Sequence, residues 1–151
     1  MQTFRKAVES DIDHIVRLEE TVFTDAWTEK SVQDTFLQKQ AFIIVAEVDG
    51  EFAGYCIVYY VMDEAEIARI AVDEHARRQG LGRGLLDYTT QCCIEKKVER
   101  LLLDVRESNK NAIAFYKSYG FLEDGIRKNF YEKPREHAML MSKDLGQTLA
   151  V

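Results

Sequence analysis

Residues 76–86 read ARRQGLGRGLL: Arg77, Arg78, Gln79 and Arg83 threaded through Gly80, Gly82 and Gly84, then an apolar run. Downstream, Leu81, Leu85, Tyr88 and Cys92 recur at i, i+4, i+7 and i+11, one face of a helix. The spacing predicts a helix over 82–97 with glycines and arginines at its mouth. A helix N-terminus leaves its first N–H groups unpaired and carries about half a positive charge. Glycine lets a ligand approach that backbone without a Cβ in the way. Together these features suit a phosphate. The P-loop string, Gly-x4-Gly-Lys-Ser/Thr, is absent. The dinucleotide fingerprint fails too, because Leu85 stands where its third glycine belongs.

Upstream, TFRKA reads as a first strand. Ser10 with Asp13 reads as a helix-start pair, followed by Ile12, Ile15, Val16, Val22 and Phe23 at helical spacing. A second helix follows Trp27, with Thr28 as its cap. AFIIVAEV and FAGYCIVYYV are β-rich runs joined at Asp49-Gly50, a tight-hairpin signal. AEIARIAV, 65–72, is a third strand, and the three predict an antiparallel meander. The helix over 82–97 then leads to RLLLDVR, 100–106. Strand, helix, strand implies a right-handed crossover, so 100–106 should lie parallel to 65–73. A helix from Asn109 to Tyr119 stops at Gly120, with Phe121 as its hydrophobic lock. FLEDGI and EHAMLMSKDL supply two last strands. The fold expected is α/β, with a mixed sheet.

The 151 residues suit one domain spanning 1–151; one proline, eight glycines and no repeat leave no boundary. The N-terminus is charged from the start, unlike a secretory signal, and the longest apolar stretch, GYCIVYYVM, is too short to span a bilayer. Three cysteines without metal-ligand spacing point to a reducing, cytoplasmic setting. Cys92 and Cys93 sit about 100° apart on a helix, so at most one should face the core fully. His14, His75 and His137 are scattered, so no metal is expected. A net charge of −6 speaks against direct nucleic-acid binding and is compatible with a basic or amine partner.

Arg77-x-x-Gly80-x-Gly82, preceded by EIARIAV and followed by SNKNAIAFYKSYGF, resembles the GNAT superfamily of acyl-CoA-dependent N-acetyltransferases. The second string supplies Asn109, Ala112, Ile113, Tyr116, Gly120 and Phe121 in that superfamily's order. The resemblance runs nearly the whole length. It is closest to the RimI-type branch, which acetylates the N-terminal alanine of a small-subunit ribosomal protein. DAWTEKSVQDTF, LLLDVRESNKNAIAFYKSYGF and NFYEKPREHAMLM carry that closeness. This chain departs from the branch at Asp104, where Glu is typical, and looks shorter after Tyr131 than some members. The resemblance implies a GNAT-like, mostly antiparallel sheet of about six or seven strands flanked by about four helices. It implies acetyl-CoA as cosubstrate and transfer to an amine by direct attack in a ternary complex.

The resemblance also implies site residues. Backbone amides of the loop, Arg77, Arg78, Gln79, Gly80, Leu81, Gly82, Arg83 and Gly84, would hold the pyrophosphate, with Asn109 beside them. Ile70, Ala71 and Val72 would pair through their backbones with the pantetheine amides, one N–H facing the acyl oxygen. Tyr116 would protonate the departing thiolate; otherwise it is a packing aromatic beside Ile113. Asp104 is the first candidate base, and alternation turns it away from Leu103 and Val105; a pair with Arg106 is the alternative. Glu66 is the second candidate, and a water the third. The segments near Trp27 and 129–136, including Tyr131 and Glu132, would shape the acceptor site. The acceptor expected is a protein or peptide N-terminus, a ribosomal protein among them. A small amine such as a polyamine or antibiotic is the alternative, and a non-catalytic CoA-binding module the alternative of another class.

Overall fold

The computed structural model describes residues 1–146. Seven strands form one sheet: β1 (Gln2–Lys6), β2 (Ala41–Val48), β3 (Glu51–Val61), β4 (Glu64–Val72), β5 (Arg100–Arg106), β6 (Leu122–Glu132) and β7 (Arg135–Asp144). Four α-helices interrupt them: α1 (Ile12–Val22), α2 (Glu29–Leu37), α3 (Leu81–Glu95) and α4 (Lys110–Tyr119). The sheet order is β1-β2-β3-β4-β5-β7-β6. Every neighbouring pair is antiparallel except β4 and β5, the parallel pair joined through α3. Fold class, element order and the meander therefore stand as expected. Among the described residues no helix is long and apolar enough to cross a membrane.

Continuous apolar runs such as AFIIVAEV arise because both faces of the sheet are covered. Phe42, Ile44 and Ala46 of β2 join a core with Leu81, Leu85, Leu86 and Ile113 of α3 and α4. Ile43 and Val45 join the other core with Ile12, Ile15, Leu18 and Val32 of α1 and α2. Asp49 and Gly50 close the β2–β3 hairpin with φ of 50° and 83°. Thr28 caps α2 by accepting from the Ser31 N–H. Gly120 ends α4 with φ of 112°, and the Phe121 N–H donates to the Tyr116 carbonyl at 3.0 Å.

Two local readings change. The start of α1 is organised by Asp11, not by Ser10 with Asp13. A 3₁₀ turn, Glu9–Asp11, precedes the helix, and Asp11 Oδ2 accepts from the Val8 N–H at 2.7 Å. Arg5 on β1 holds both oxygens of that carboxylate at 2.7 and 2.9 Å. A buried carboxylate goes where a guanidinium can neutralise it, and this one ties the helix to the sheet. Cys92 and Cys93 are both buried, because α3 packs across β1, β2, β3 and β4 and so hides a wide face.

Gly84 is also reassigned. It lies within the first turn of α3, where a Cβ would stand 2.1 Å from Cζ of Phe4. Its bare Cα admits the β1 ring, and its N–H already donates to the Gly80 carbonyl at 3.0 Å. Gly84→Ala should therefore lower the urea unfolding midpoint, by about 1–3 kcal/mol of overpacking. Adding Phe4→Leu should recover part of that loss; an undiminished midpoint in the single variant would refute the steric role.

Candidate active site

Strands β4 and β5 pair only over Glu64–Ile67 with Arg100–Leu103, yet they continue to Val72 and Arg106. Beyond Ile67 they part. A bulge in β4 marks the place: Ile57 of β3 faces Arg69 and Val58 faces Ile67, leaving Ala68 as the extra residue. The backbone of Ala68–Val72 thus faces β5 without a strand partner there. An open groove of about 1690 Å3 occupies the gap. Its walls come from Val22–Trp27, Glu66–Val72, the loop and first turn of α3, Leu103–Arg106, the start of α4, and the β6–β7 hairpin.

At one end of the groove lies the mouth of α3. Gly80 is its N-cap with φ of 81°, and Arg78 also takes a positive φ, 66°. The first intrahelical bond starts at the Gly84 N–H, so the amides of Leu81, Gly82 and Arg83 have no acceptor within the helix. These three, with Gly80, Arg77 and Arg78, line the groove. Gln79 and Gly84 do not line it. The Gln79 carbonyl accepts instead from the Gln2 side chain at 2.6 Å, and Gly84 abuts Phe4. Of the arginines, Arg77 Nε donates to the Val72 carbonyl at 3.2 Å, binding the loop to β4. Arg83 stacks over the Tyr119 ring at 5.2 Å. A Cβ on Gly82 would press on Phe115 at 3.2 Å, so that position keeps α4 close. Asn109 caps α4, its Oδ1 accepting from the Ala112 N–H at 3.1 Å, and also lines the groove. Free amides at a helix start beside arginines fit a pyrophosphate, and an unpaired strand edge fits an extended amide chain.

Tyr116 and the two carboxylates reach the gap from opposite faces of the sheet. Tyr116 belongs to the core shared by α3 and α4, packed between Phe115 and Phe121 at 5.4 and 5.6 Å between ring centres. Among the described residues nothing bonds its hydroxyl, and burial raises its pKa, keeping it protonated. Asp104 alternates with the buried Leu103 and Val105, as expected, and Glu66 alternates with the buried Ala65 and Ile67. Both carboxylates therefore point to the α1 and α2 side. Burial raises the pKa of each, the charge of Asp104 raises Glu66 further, and Arg127 of β6 opposes both shifts.

Arg106 does not pair with Asp104. It stacks over Tyr131 at 4.3 Å and donates to the carbonyls of Pro134 and Lys133 at 2.8 and 3.2 Å. It also bonds Glu136 at 3.3 Å, whose second oxygen accepts from the Ser108 N–H at 2.6 Å. The β6–β7 hairpin is thereby tied to the segment leading into α4. Across the groove, the Thr24 hydroxyl donates to the Lys133 carbonyl, so the segment near Trp27 and the hairpin meet. Trp27, Tyr131 and Glu132 all line the groove, and Trp27 also packs into the second core.

Sequence reasoning missed the junction beneath Trp27. Glu19 of α1 is fully buried; it accepts from the Tyr55 hydroxyl, from the Trp27 N–H at 2.8 Å and from Arg69 Nε at 3.2 Å. The signal was present: Glu19 falls four residues after Ile15 and seven after Ile12, a charge on the apolar stripe of α1.

Comparison with known proteins agrees with this geometry. The sequence profile of the Acetyltransferase (GNAT) family matches residues 12–121. A Bacillus subtilis protein, named as a candidate ribosomal protein bS18-alanine N-acetyltransferase, is 42% identical over 132 residues, 87% of each chain. The crystal structure of the ribosomal-protein-S18-alanine N-acetyltransferase from Escherichia coli superposes with a TM-score of 0.88 at 33% identity, covering 96% of this chain and 94% of that one. That of Ard1 from Thermoplasma volcanium gives 0.86 at 31% identity, covering 95% and 97%. With a profile spanning most of its length and relatives this similar across nearly all of it, the chain belongs to the GNAT family of acetyltransferases.

Proposed function

We propose that the chain transfers the acetyl group of acetyl-CoA to an α-amino group, with the N-terminal alanine of ribosomal protein bS18 as acceptor. The observation that carries the reading is the parting of β4 and β5 beside the open amides of α3. The relatives named for bS18 support the acceptor.

Acetyl-CoA supplies an acyl group already activated as a thioester. The Leu81, Gly82 and Arg83 amides hold its pyrophosphate, and the free edge of Ile70, Ala71 and Val72 aligns its amide chain. An N–H of that edge donates to the acyl oxygen, where negative charge develops. Tyr116, held protonated by burial, gives its proton to the departing sulfur. Asp104, or Glu66 beside it, takes the proton from the incoming amine on the other face of the sheet, directly or through a water. Their raised pKa values bring these carboxylates closer to the amine they serve. Donor and acceptor thus enter from opposite faces and meet only at the gap, which supports direct attack over a covalent enzyme intermediate.

Purified protein with acetyl-CoA should release free thiol with peptides beginning in Ala, and not with N-terminally blocked peptides carrying internal lysines. Turnover on polyamines alone would indicate a small-amine enzyme. Uptake of acetyl-CoA in calorimetry without turnover on any amine would indicate a binding module.

Tyr116→Phe should lower kcat about a hundredfold, within the usual range for a general acid, while acetyl-CoA affinity holds. Full turnover in that variant would remove Tyr116 from the mechanism.

Beside the acid limb that protonation of the acceptor amine imposes on the kcat/KM profile, Asp104→Asn should abolish the limb due to the carboxylate. In the parent that limb lies above the ordinary carboxylate range, activity being lost as pH falls through the raised pKa. A carboxyl with a raised folded pKa is destabilising once ionised, so the variant should be at least as stable at neutral pH. An unchanged profile, or a loss of activity explained by unfolding, would count against Asp104 as base.

A further inference from the structure

We infer that Arg69 is a positioning residue of the acceptor site, holding the Phe23–Trp27 wall at a set distance from the strand that carries the donor. The inference rests on the acetyl-transfer reading above and goes beyond it.

Arg69 reaches this place only because of the bulge. Ile67 and Ile70 both face the core under α3, although they are three residues apart. Strict alternation would put residues three apart on opposite faces. The extra residue, Ala68, reverses the parity, and Arg69 turns with Ala68 and Ala71 toward α1. There its side chain is only 11% exposed. Among the described residues, every hydrogen-bond and ring partner of the guanidinium lies on α1 or the segment after it. Nε donates to Glu19 at 3.2 Å; one terminal nitrogen donates to the Asp25 carbonyl at 2.6 Å and to its carboxylate at 3.2 Å. The plane covers the Phe23 ring at 4.0 Å and approaches Trp27 at 5.9 Å.

Glu19 completes the joint, because the same carboxylate accepts from the Trp27 N–H and from Tyr55 of β3. An apolar pair of equal volume would hold the core at least as well, since burying two charges costs solvation. What the charged pair adds is direction. A planar fork fixes where the Asp25 and Trp27 backbone must lie, which apolar packing does not. Arg69 immediately precedes Ile70–Val72, so one side chain spans from the donor edge to the acceptor wall. Its loss should therefore weaken the acceptor and spare the donor.

Arg69→Gln alone would leave Glu19 buried without its counter-charge, so the test uses Glu19→Gln/Arg69→Gln, which removes both charges together. Three readouts are taken: acetyl-CoA Kd by calorimetry, KM for a peptide beginning in Ala, and hydrogen exchange at the amides of 23–27 without substrate. The expected result is a peptide KM raised about tenfold, the order of effect that a modest misplacement of a binding wall produces. Acetyl-CoA Kd should stay within about twofold, as only the acceptor wall is loosened, and exchange at 23–27 should quicken. An unchanged peptide KM, an acetyl-CoA Kd weakened in parallel, or unaltered exchange would each overturn the assignment. If the parent protein acetylates no peptide, the acetyl-transfer reading fails by itself, and the exchange measurement still decides whether Arg69 holds the wall.

Discussion

The site depends on a failure of pairing. β4 and β5 are neighbours for four residues and then separate, although each strand continues. A sheet interior that stops pairing exposes backbone groups that must be satisfied by something else. Here the unpaired edge lies beside the α3 amides that the helix itself cannot satisfy. The two shortages suit two chemistries: amides of an extended chain for the strand, an anion for the helix. The bulge at Ala68 accompanies the separation and also sets which residues face which side.

Two cores, one on each face of the sheet, turn this opening into a passage. Tyr116 is embedded in the core of α3 and α4, whereas Asp104 and Glu66 project from the other face. Their separation across the sheet means that neither neutralises the other. The tyrosine is kept protonated by burial, and both carboxylates are raised by burial, Glu66 also by the charge of Asp104, yet tempered by Arg127. Under the proposed reading, such distinct surroundings would let one group act as acid and another as base on two sides of the gap.

The groove walls formed by the Phe23–Trp27 segment and the β6–β7 hairpin are each held by a polar joint. Arg106 braces the β6–β7 hairpin through Glu136, the Pro134 carbonyl and the Tyr131 ring. Arg69 and Glu19 brace the opposite wall. Both arginines project from strands that border the gap, so the two walls are referenced to one frame. Directional bonds fix where such segments lie, beyond what the packing of Phe23 and Trp27 against the second core decides.

Local order was readable from the chain alone. Hydrophobic period, the Asp49-Gly50 turn, the Thr28 cap, the helix start near Asn109 and the Gly120 stop are decisions made within a few residues, and each appears where the sequence places it. The glycine loop before α3 and the place of Tyr116 on α4 were legible as local structure because each lies in its own short string. What the sequence could not show was which residues meet across long separations. Asp104 and Arg106 share a strand face, yet Arg106 turns to Glu136, thirty residues on. Gly84 resembles its loop neighbours and is spent on Phe4, while Asp11 displaces Ser10 because Arg5 lies opposite. Backbone preference and periodicity are local and survive in a string of letters. The pairing of buried charges, and the point where two strands part, depend on distances that exist only once both faces of the sheet have packed.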